Sequence, residues 1–140
     1  MKLVLVIFSY LIINPSELFS QNSPDIDKVD NAVVYIEGYD YQGNPYNTGS
    51  GFVIDANGTI ATNYHVVKNA YSMKVIFDKD GNKVSYDVGK IISGSEKMDL
   101  ATISIIKKSS TETFSYLKFA SRLPKKGEDC WAIGTPESIR

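Results

Sequence analysis

A hairpin signal near the middle of the chain constrains its fold more than any other feature. Two uncharged runs, residues 51–54 and 59–62, flank the four residues Asp-Ala-Asn-Gly at 55–58. Asn-Gly between β-forming runs predicts a tight hairpin, because both central residues of the favoured turn need a positive φ. His65 is the only histidine of the chain and follows the second of these strands directly.

The residues around His65 suggest a short helical turn and a distant acidic partner. Asn63 or Thr62 can cap a turn that runs through residues 66–67. Much later, Asp99 begins the otherwise uncharged run Asp-Leu-Ala-Thr-Ile-Ser-Ile-Ile. A carboxylate at the head of an apolar strand is costly to bury unless another group pairs with it. His65 is the obvious partner for Asp99.

Short strand-forming runs separated by turn signals extend in both directions from this hairpin. Further strands are expected at residues 29–41, 73–77, 83–88 and 128–133, with a loop at residues 89–97. Roughly six or seven short strands with almost no helix predict an all-β protein built as a closed antiparallel barrel.

The segment Asp-Lys-Asp-Gly-Asn at residues 78–82 superficially resembles a calcium loop. An EF-hand loop needs Gly at its sixth position and Glu at its twelfth, where this chain has Lys83 and Gly89. An Asp-Gly hairpin is therefore expected instead. Cys130 is the only cysteine, and one Cys with one His cannot supply the usual zinc ligands, so neither a metal nor a cofactor is expected.

The N-terminus has the pattern of a secretory signal. Lys2 precedes the apolar run 3–13, and the small residue Ser20 suits cleavage. The apolar run is too short to span a bilayer well. A buried N-terminal strand is the alternative to a signal peptide. We expect a signal peptide at residues 1–20, a mobile leader at 21–28, one domain at 29–140, and export from the cytoplasm.

The charge balance argues against a polyanionic partner. The chain has 15 basic and 16 acidic residues, which gives a formal net charge of -1. Such a balance provides no electrostatic basis for binding nucleic acid or an anionic membrane.

Four motifs in order resemble the trypsin-like serine peptidases. They are GSGFVI, TNYHVV, DLATISI and WAIGTP, and they extend the resemblance over residues 29–136. The HtrA-type branch, in which the histidine follows a Thr-Asn pair, is the most similar. The resemblance implies a polypeptide substrate, the first barrel of a double-barrel fold, His65 as general base and Asp99 as the acid that orients it.

The resemblance also implies a serine that this sequence does not contain. The family carries its nucleophile in a Gly-x-Ser-Gly-Gly loop after the Asp, and the 140 residues include no such loop. Double-barrel domains need about 200–250 residues, so we expect a fragment that is inactive alone. Ser50 precedes the histidine and Ser138 comes too early for the Gly-rich loop, which makes both poor substitutes.

Other readings of the same residues stay open. A barrel without catalysis, used as an interaction or scaffold module, and a truncated gene product are the alternatives to an enzyme. A lone His after a strand and an Asp before one are commonly just polar residues. Cys130 is expected to be a buried small hydrophobe or else a reactive thiol. Asn57 begins a glycosylation sequon, which the turn explains equally well.

Overall fold

The computed structural model describes residues 26–79, 81–129 and 133–134. The elements are α1 (Ile26–Asp30), β1 (Val33–Tyr39), β2 (Pro45–Val53), β3 (Thr59–Thr62), α2 (Tyr64–Val67), β4 (Ser72–Lys79), β5 (Asn82–Ser95) and β6 (Leu100–Ile105). The six strands form a closed antiparallel barrel in the order β1-β2-β3-β6-β5-β4. The predicted all-β barrel is confirmed.

The barrel interior is filled by aliphatic side chains from alternate strand positions. On β1, Val34 and Ile36 are buried while their neighbours Val33, Tyr35 and Glu37 are partly exposed, which is the period of two that a half-buried strand requires. The helix α2 adds two valines to the same interior. The buried core consists of Val34, Ile36, Val53, Ile60, Val66, Val67, Met73, Val75, Ala101, Ile103 and Ile105.

The central hairpin forms between β2 and β3 as predicted, but its turn differs from the expected one. Gly58 has a φ of 84°, whereas Asn57 is not among the described non-glycine residues with a positive φ. The carboxylate of Asp55 accepts hydrogen bonds from the backbone N–H groups of Asn57 (2.8 Å) and Thr59 (3.1 Å). This Asp-centred loop replaces a two-residue turn, because the side chain supplies acceptors for the backbone.

The first strand begins later than the predicted residue 29. The segment up to Asp30 is the helix α1, so residues 26–28 of the predicted mobile leader lie in a helical turn. Asn31 closes this turn, since its backbone N and its Nδ2 both donate to the carbonyl of Asp27 (3.1 and 2.6 Å). The predicted signal peptide at residues 1–20 lies outside the described residues.

The predicted loop at residues 89–97 is wrong, because β5 continues to Ser95. Its pairing with β6 shifts register twice, between Val88 and Lys90 and again between Ile91 and Ser93. Each bulge changes the face to which the following residues point, and no residue of β5 is buried, so the sequence lacks the period of two that marks a half-buried strand. The β4–β5 hairpin matches its prediction, with Lys79 paired to Asn82 across two residues.

Between residues 106 and 129 the chain runs over the barrel without regular structure. The backbone N–H groups of Phe114 and Leu117 donate to carbonyls of the β2–β3 hairpin, at Ala56 (3.2 Å) and Val53 (2.9 Å). The predicted strand at 128–133 is not seen at residues 128–129, and Cys130 lies outside the described residues together with 131–132.

Candidate active site

The helix α2 carries His65 and is a single turn whose position depends on its neighbours. One helical turn is unstable in isolation, since nucleation costs more than its few hydrogen bonds return. Val66 and Val67 are buried in the core and anchor one face. On β2, Gly49 lets the helix approach closely, because a Cβ there would lie 2.4 Å from Cγ2 of Val66. The barrel therefore fixes where His65 lies.

The N-terminus of α2 is capped by a residue that is distant in sequence. Asn63 occupies the N-cap position, but its side chain makes no capping hydrogen bond. Instead, Oδ1 of Asp99 accepts from the backbone N of His65 at 2.9 Å, which satisfies one of the N–H groups that a helix start leaves unpaired. Thr62, the other expected cap, donates its hydroxyl to the carbonyl of Ser50 at 2.8 Å.

The same carboxylate contacts the imidazole. Oδ2 of Asp99 lies 2.8 Å from Nδ1 of His65 and 3.1 Å from Nδ2 of Asn63, which also donates to the backbone carbonyl of Asp99 at 3.1 Å. The structure thus brings together the two residues that the sequence paired. An ionised carboxylate can only accept, so this contact selects the imidazole tautomer with its proton on Nδ1.

The backbone of Asp99 has an uncommon conformation. Its φ is 49°, in the left-handed region that Asp and Asn tolerate better than most other residues. The turn before it is closed by a hydrogen bond from the Asp99 N to the Glu96 carbonyl at 3.2 Å. The pKa of Asp99 is lowered chiefly by the hydrogen bond from the His65 backbone N–H, and further by the His65 ring, while desolvation opposes the shift.

The His65–Asp99 pair is exposed at the surface of the barrel. The His65 side chain is 69% exposed and that of Asp99 is 45% exposed. With Nδ1 held by the carboxylate, Nε2 is the nitrogen left to exchange a proton with a substrate or a hydroxyl group. Lys68 and Glu96 form an ion pair between the same two segments, α2 and the β5–β6 turn.

An uncharged groove opens beside this pair on the outer wall of the barrel. A row of paired residues crosses five strands, and its members are small, hydroxylic or apolar: Val33, Phe52, Ala61, Thr102 and Ser93. The groove has a volume of about 850 Å³, and none of its described lining residues is charged. The row extends from β1 to β5, so this side of the barrel presents a continuous uncharged surface.

Of the two alternative serines, Ser50 and Ser138, only Ser50 lies among the described residues. Ser50 lies on β2 and lines the uncharged groove together with Thr62 and Asn63. Ser138 lies outside the described residues.

Two further observations concern the part of the chain that the structure describes. No group of three or more His, Cys, Asp or Glu side chains there is arranged to hold a metal ion. No helix among the same residues is both long and apolar enough to cross a membrane.

The fold and the site together indicate the class of protein. The fold is a closed six-strand barrel, and its surface carries an exposed His–Asp pair. Residues 49–139, which include both site residues, match the family described as the trypsin-like peptidase domain. The chain belongs to this family.

Two relatives are similar to this chain over more than half of its length. Serine protease HTRA1 of Xenopus laevis is 36% identical over 120 residues, which cover 82% of this chain and 25% of the relative. A DegP-like periplasmic serine endoprotease of Rickettsia conorii is 36% identical over 89 residues, 63% of this chain and 16% of the relative. The predicted resemblance to the HtrA-type branch is confirmed, and the chain spans about a quarter or less of these relatives.

The barrel also matches a solved fold. The crystal structure of the MamO protease domain from Magnetospirillum magneticum, in its apo form, superposes with a TM-score of 0.52 at 23% sequence identity. The match covers 65% of this chain and 45% of the MamO chain. At this identity the likeness concerns the fold.

Proposed function

We propose that this chain carries the general base and the orienting acid of a serine endopeptidase, His65 and Asp99. The observation that carries the proposal is the 2.8 Å contact between Nδ1 of His65 and Oδ2 of Asp99. The second carboxylate oxygen binds the backbone N of the same histidine at 2.9 Å. One carboxylate therefore holds both the ring and the main chain of His65.

The chemistry follows from the tautomer. Asp99 stays ionised near neutral pH, because its pKa is below the ordinary value, and it keeps the imidazole proton on Nδ1. Nε2 is then free to take the proton of a serine hydroxyl as that oxygen attacks a peptide carbonyl. The resulting imidazolium is stabilised by Asp99 and returns the proton to the leaving amine. No cofactor is needed for these steps.

The nucleophile would come from outside these 140 residues, which contain no Gly-x-Ser-Gly-Gly loop. Backbone N–H groups beside that serine would supply the oxyanion hole. The uncharged groove suits the face of a first barrel against which a second barrel packs, since apolar side chains such as Phe52 and Leu100 line it. The cleft between two such barrels would receive a polypeptide substrate.

Export is part of the proposal. The charged and apolar pattern of residues 1–20 is typical of a secretory signal, and one relative is named as a periplasmic protease. The protein would therefore act in an envelope compartment or outside the cell.

The test compares the 140-residue chain with the full-length polypeptide encoded by its gene. A fluorophosphonate that modifies activated serines is expected to label only the full-length polypeptide, at a Gly-x-Ser-Gly-Gly serine. His65→Ala should abolish both that labelling and the hydrolysis of casein. The 140-residue chain should show neither activity.

Two results would redirect the proposal. Full-length polypeptide that folds but neither reacts with the probe nor cleaves casein would support a non-catalytic barrel that serves as an interaction module. Casein turnover by the 140-residue chain that His65→Ala removes would promote Ser50 or Ser138 to nucleophile.

A further inference from the structure

The carbonyl end of α2 has an unusual set of hydrogen-bond partners. The carbonyls of Asn63 and Tyr64 accept backbone hydrogen bonds from Val66 (3.2 Å) and Lys68 (2.9 Å), as in an ordinary helical turn. A helix of one turn leaves several of its later carbonyls without such backbone partners, although that of Val67 accepts from the backbone N of Ala70 at 3.4 Å. Here the carbonyls of His65 and Lys68 are instead bound by a side chain from β2.

That side chain is Asn47. Its Nδ2 donates to the carbonyl of His65 at 3.2 Å and to the carbonyl of Lys68 at 3.1 Å. An amide nitrogen carries two hydrogens, so one Asn can serve both acceptors at once. Aspartate, which has the same shape, has no hydrogen to donate and would direct a negative charge at two carbonyl oxygens.

The strand that carries Asn47 also packs against α2. Asn47 pairs with Gly38 of β1, and two residues further along the same strand Gly49 packs against Val66 of α2. One strand therefore holds α2 at two points, by close packing at Gly49 and by hydrogen bonds at Asn47. The helix cannot move along the strand without breaking one of these contacts.

We propose that Asn47 is a positioning residue for His65. Both backbone polar groups of this histidine are bound by side chains from other parts of the barrel: its N–H by Asp99 and its carbonyl by Asn47. Two anchors on opposite sides of one residue fix where its Cβ points, and so fix the approach of the ring to Asp99. The inference rests on the proposed role of His65 as general base.

The experiment uses the single histidine of the sequence as a spectroscopic probe. Selective ¹⁵N labelling of histidine in the full 140-residue chain gives one imidazole, whose two nitrogen shifts report the tautomer at about pH 8. The variants are Asn47→Ala and Asn47→Asp. The matched control is Asn57→Asp, which makes the same chemical change on an exposed residue of the β2–β3 turn. Circular dichroism confirms that each variant folds.

The wild type is expected to hold its proton mainly on Nδ1. Asn47→Ala should reduce the ratio of the Nδ1–H to the Nε2–H tautomer by roughly 2- to 10-fold, the factor to which one net hydrogen bond corresponds. Asn47→Asp should reduce the ratio further, and Asn57→Asp should leave it unchanged. In the full-length polypeptide, kcat should fall in the same order while KM changes little, because Asn47 acts on His65 through the carbonyls of α2.

The outcomes separate this inference from the proposed function. Folded Asn47→Ala with the wild-type tautomer ratio overturns the role of Asn47, even if Asn47→Asp fails to fold. A wild type whose imidazole proton is mainly on Nε2 would refute the His65–Asp99 pair and with it the proposed chemistry. A wild type with the expected tautomer and a full-length polypeptide without activity would leave Asn47 positioning a histidine that performs no catalysis.

Discussion

Replacing Asp99 by Asn tests whether the carboxylate does more than begin a strand. The amide has the same shape and suits the left-handed backbone at this position, where φ is 49°. The fold should therefore survive. What changes is the number of acceptors, because the carboxylate offers two oxygens and the amide offers one.

The geometry determines how the amide must orient. Oδ1 of Asp99 accepts from the His65 backbone N at 2.9 Å, and Oδ2 faces the ring Nδ1 at 2.8 Å. If the amide oxygen keeps the backbone contact, its NH₂ group faces Nδ1 and forces the ring proton to Nε2. The reverse orientation would place the NH₂ group against a backbone N–H. The first arrangement also places the NH₂ group against Nδ2 of Asn63, but that side chain can rotate and can keep its bond to the carbonyl of residue 99, whereas the backbone N–H is fixed. The first arrangement is therefore favoured, and it selects the tautomer that cannot accept a proton at Nε2.

The expected loss of turnover is large. In the Ser-His-Asp template of another enzyme, the same substitution lowers kcat about ten-thousand-fold with the geometry intact, and we expect a loss of that order here. His65→Ala should lose at least as much. The double variant should be scarcely worse than the more impaired single variant, because residues that act as one unit are not additive.

The assay is steady-state hydrolysis of a peptide by the full-length polypeptide, in wild type, both single variants and the double variant. Circular dichroism checks folding. Normally folded Asp99→Asn with turnover near that of the wild type would refute the reasoning. The orienting acid would then have to be Asp87 or Glu96, although Glu96 already pairs with Lys68 and Asp87 lies opposite Lys74 on β4.

Three further predictions concern stability and processing. Gly49→Ala should cost about 1–3 kcal/mol in the free energy of unfolding, measured by urea denaturation, because its Cβ would overlap Val66. Gly43→Ala controls for the loss of a glycine, because open space surrounds Gly43. The φ of 84° at Gly43 adds some strain to that control. The pKa of Asp99 is lowered in the folded state, so its contribution to stability is complete above the ordinary Asp pKa of 3.8 and is lost as the pH falls through the folded value. Acid unfolding followed by circular dichroism should therefore show a smaller loss of stability in Asp99→Asn than in the wild type. Equal losses of stability would contradict this. Mass spectrometry of exported protein should find an N-terminus near Gln21, whereas an intact Met1 would exclude signal cleavage.

Features set by neighbouring residues were predictable from the sequence. The two hairpins could be located because Asn-Gly and Asp-Gly mark turns between apolar runs. The short helix after β3 was expected from residues 62–67, and α2 occupies Tyr64–Val67. The pairing of His65 with Asp99 was expected from ordered motifs, and the structure places the two side chains in contact.

The extension of β5 was not predictable in the same way. Its two bulges displace residues from the alternating pattern, so the isoleucines at 91 and 92 are about half exposed and give no strand signal. Pairing with β6, not local preference, holds this segment extended. The type of the β2–β3 turn was also missed, because Asn-Gly chemistry does not reveal that the carboxylate of Asp55 binds two backbone N–H groups.

The contacts of His65 show why the histidine of a motif can be recognised before the residues that bind its backbone. Asn47 lies 18 residues before His65 and Asp99 lies 34 residues after it, so neither contact has a local signature. Asp99 could be predicted because the proposed chemistry restricts the residue type and its place in a motif. The role of Asn47 is to donate two hydrogen bonds to backbone carbonyls, which every sequence offers. The pairing of β2 with β3 brings that amide to the end of α2. A helix of one turn needs such a partner because it satisfies few of its own carbonyls.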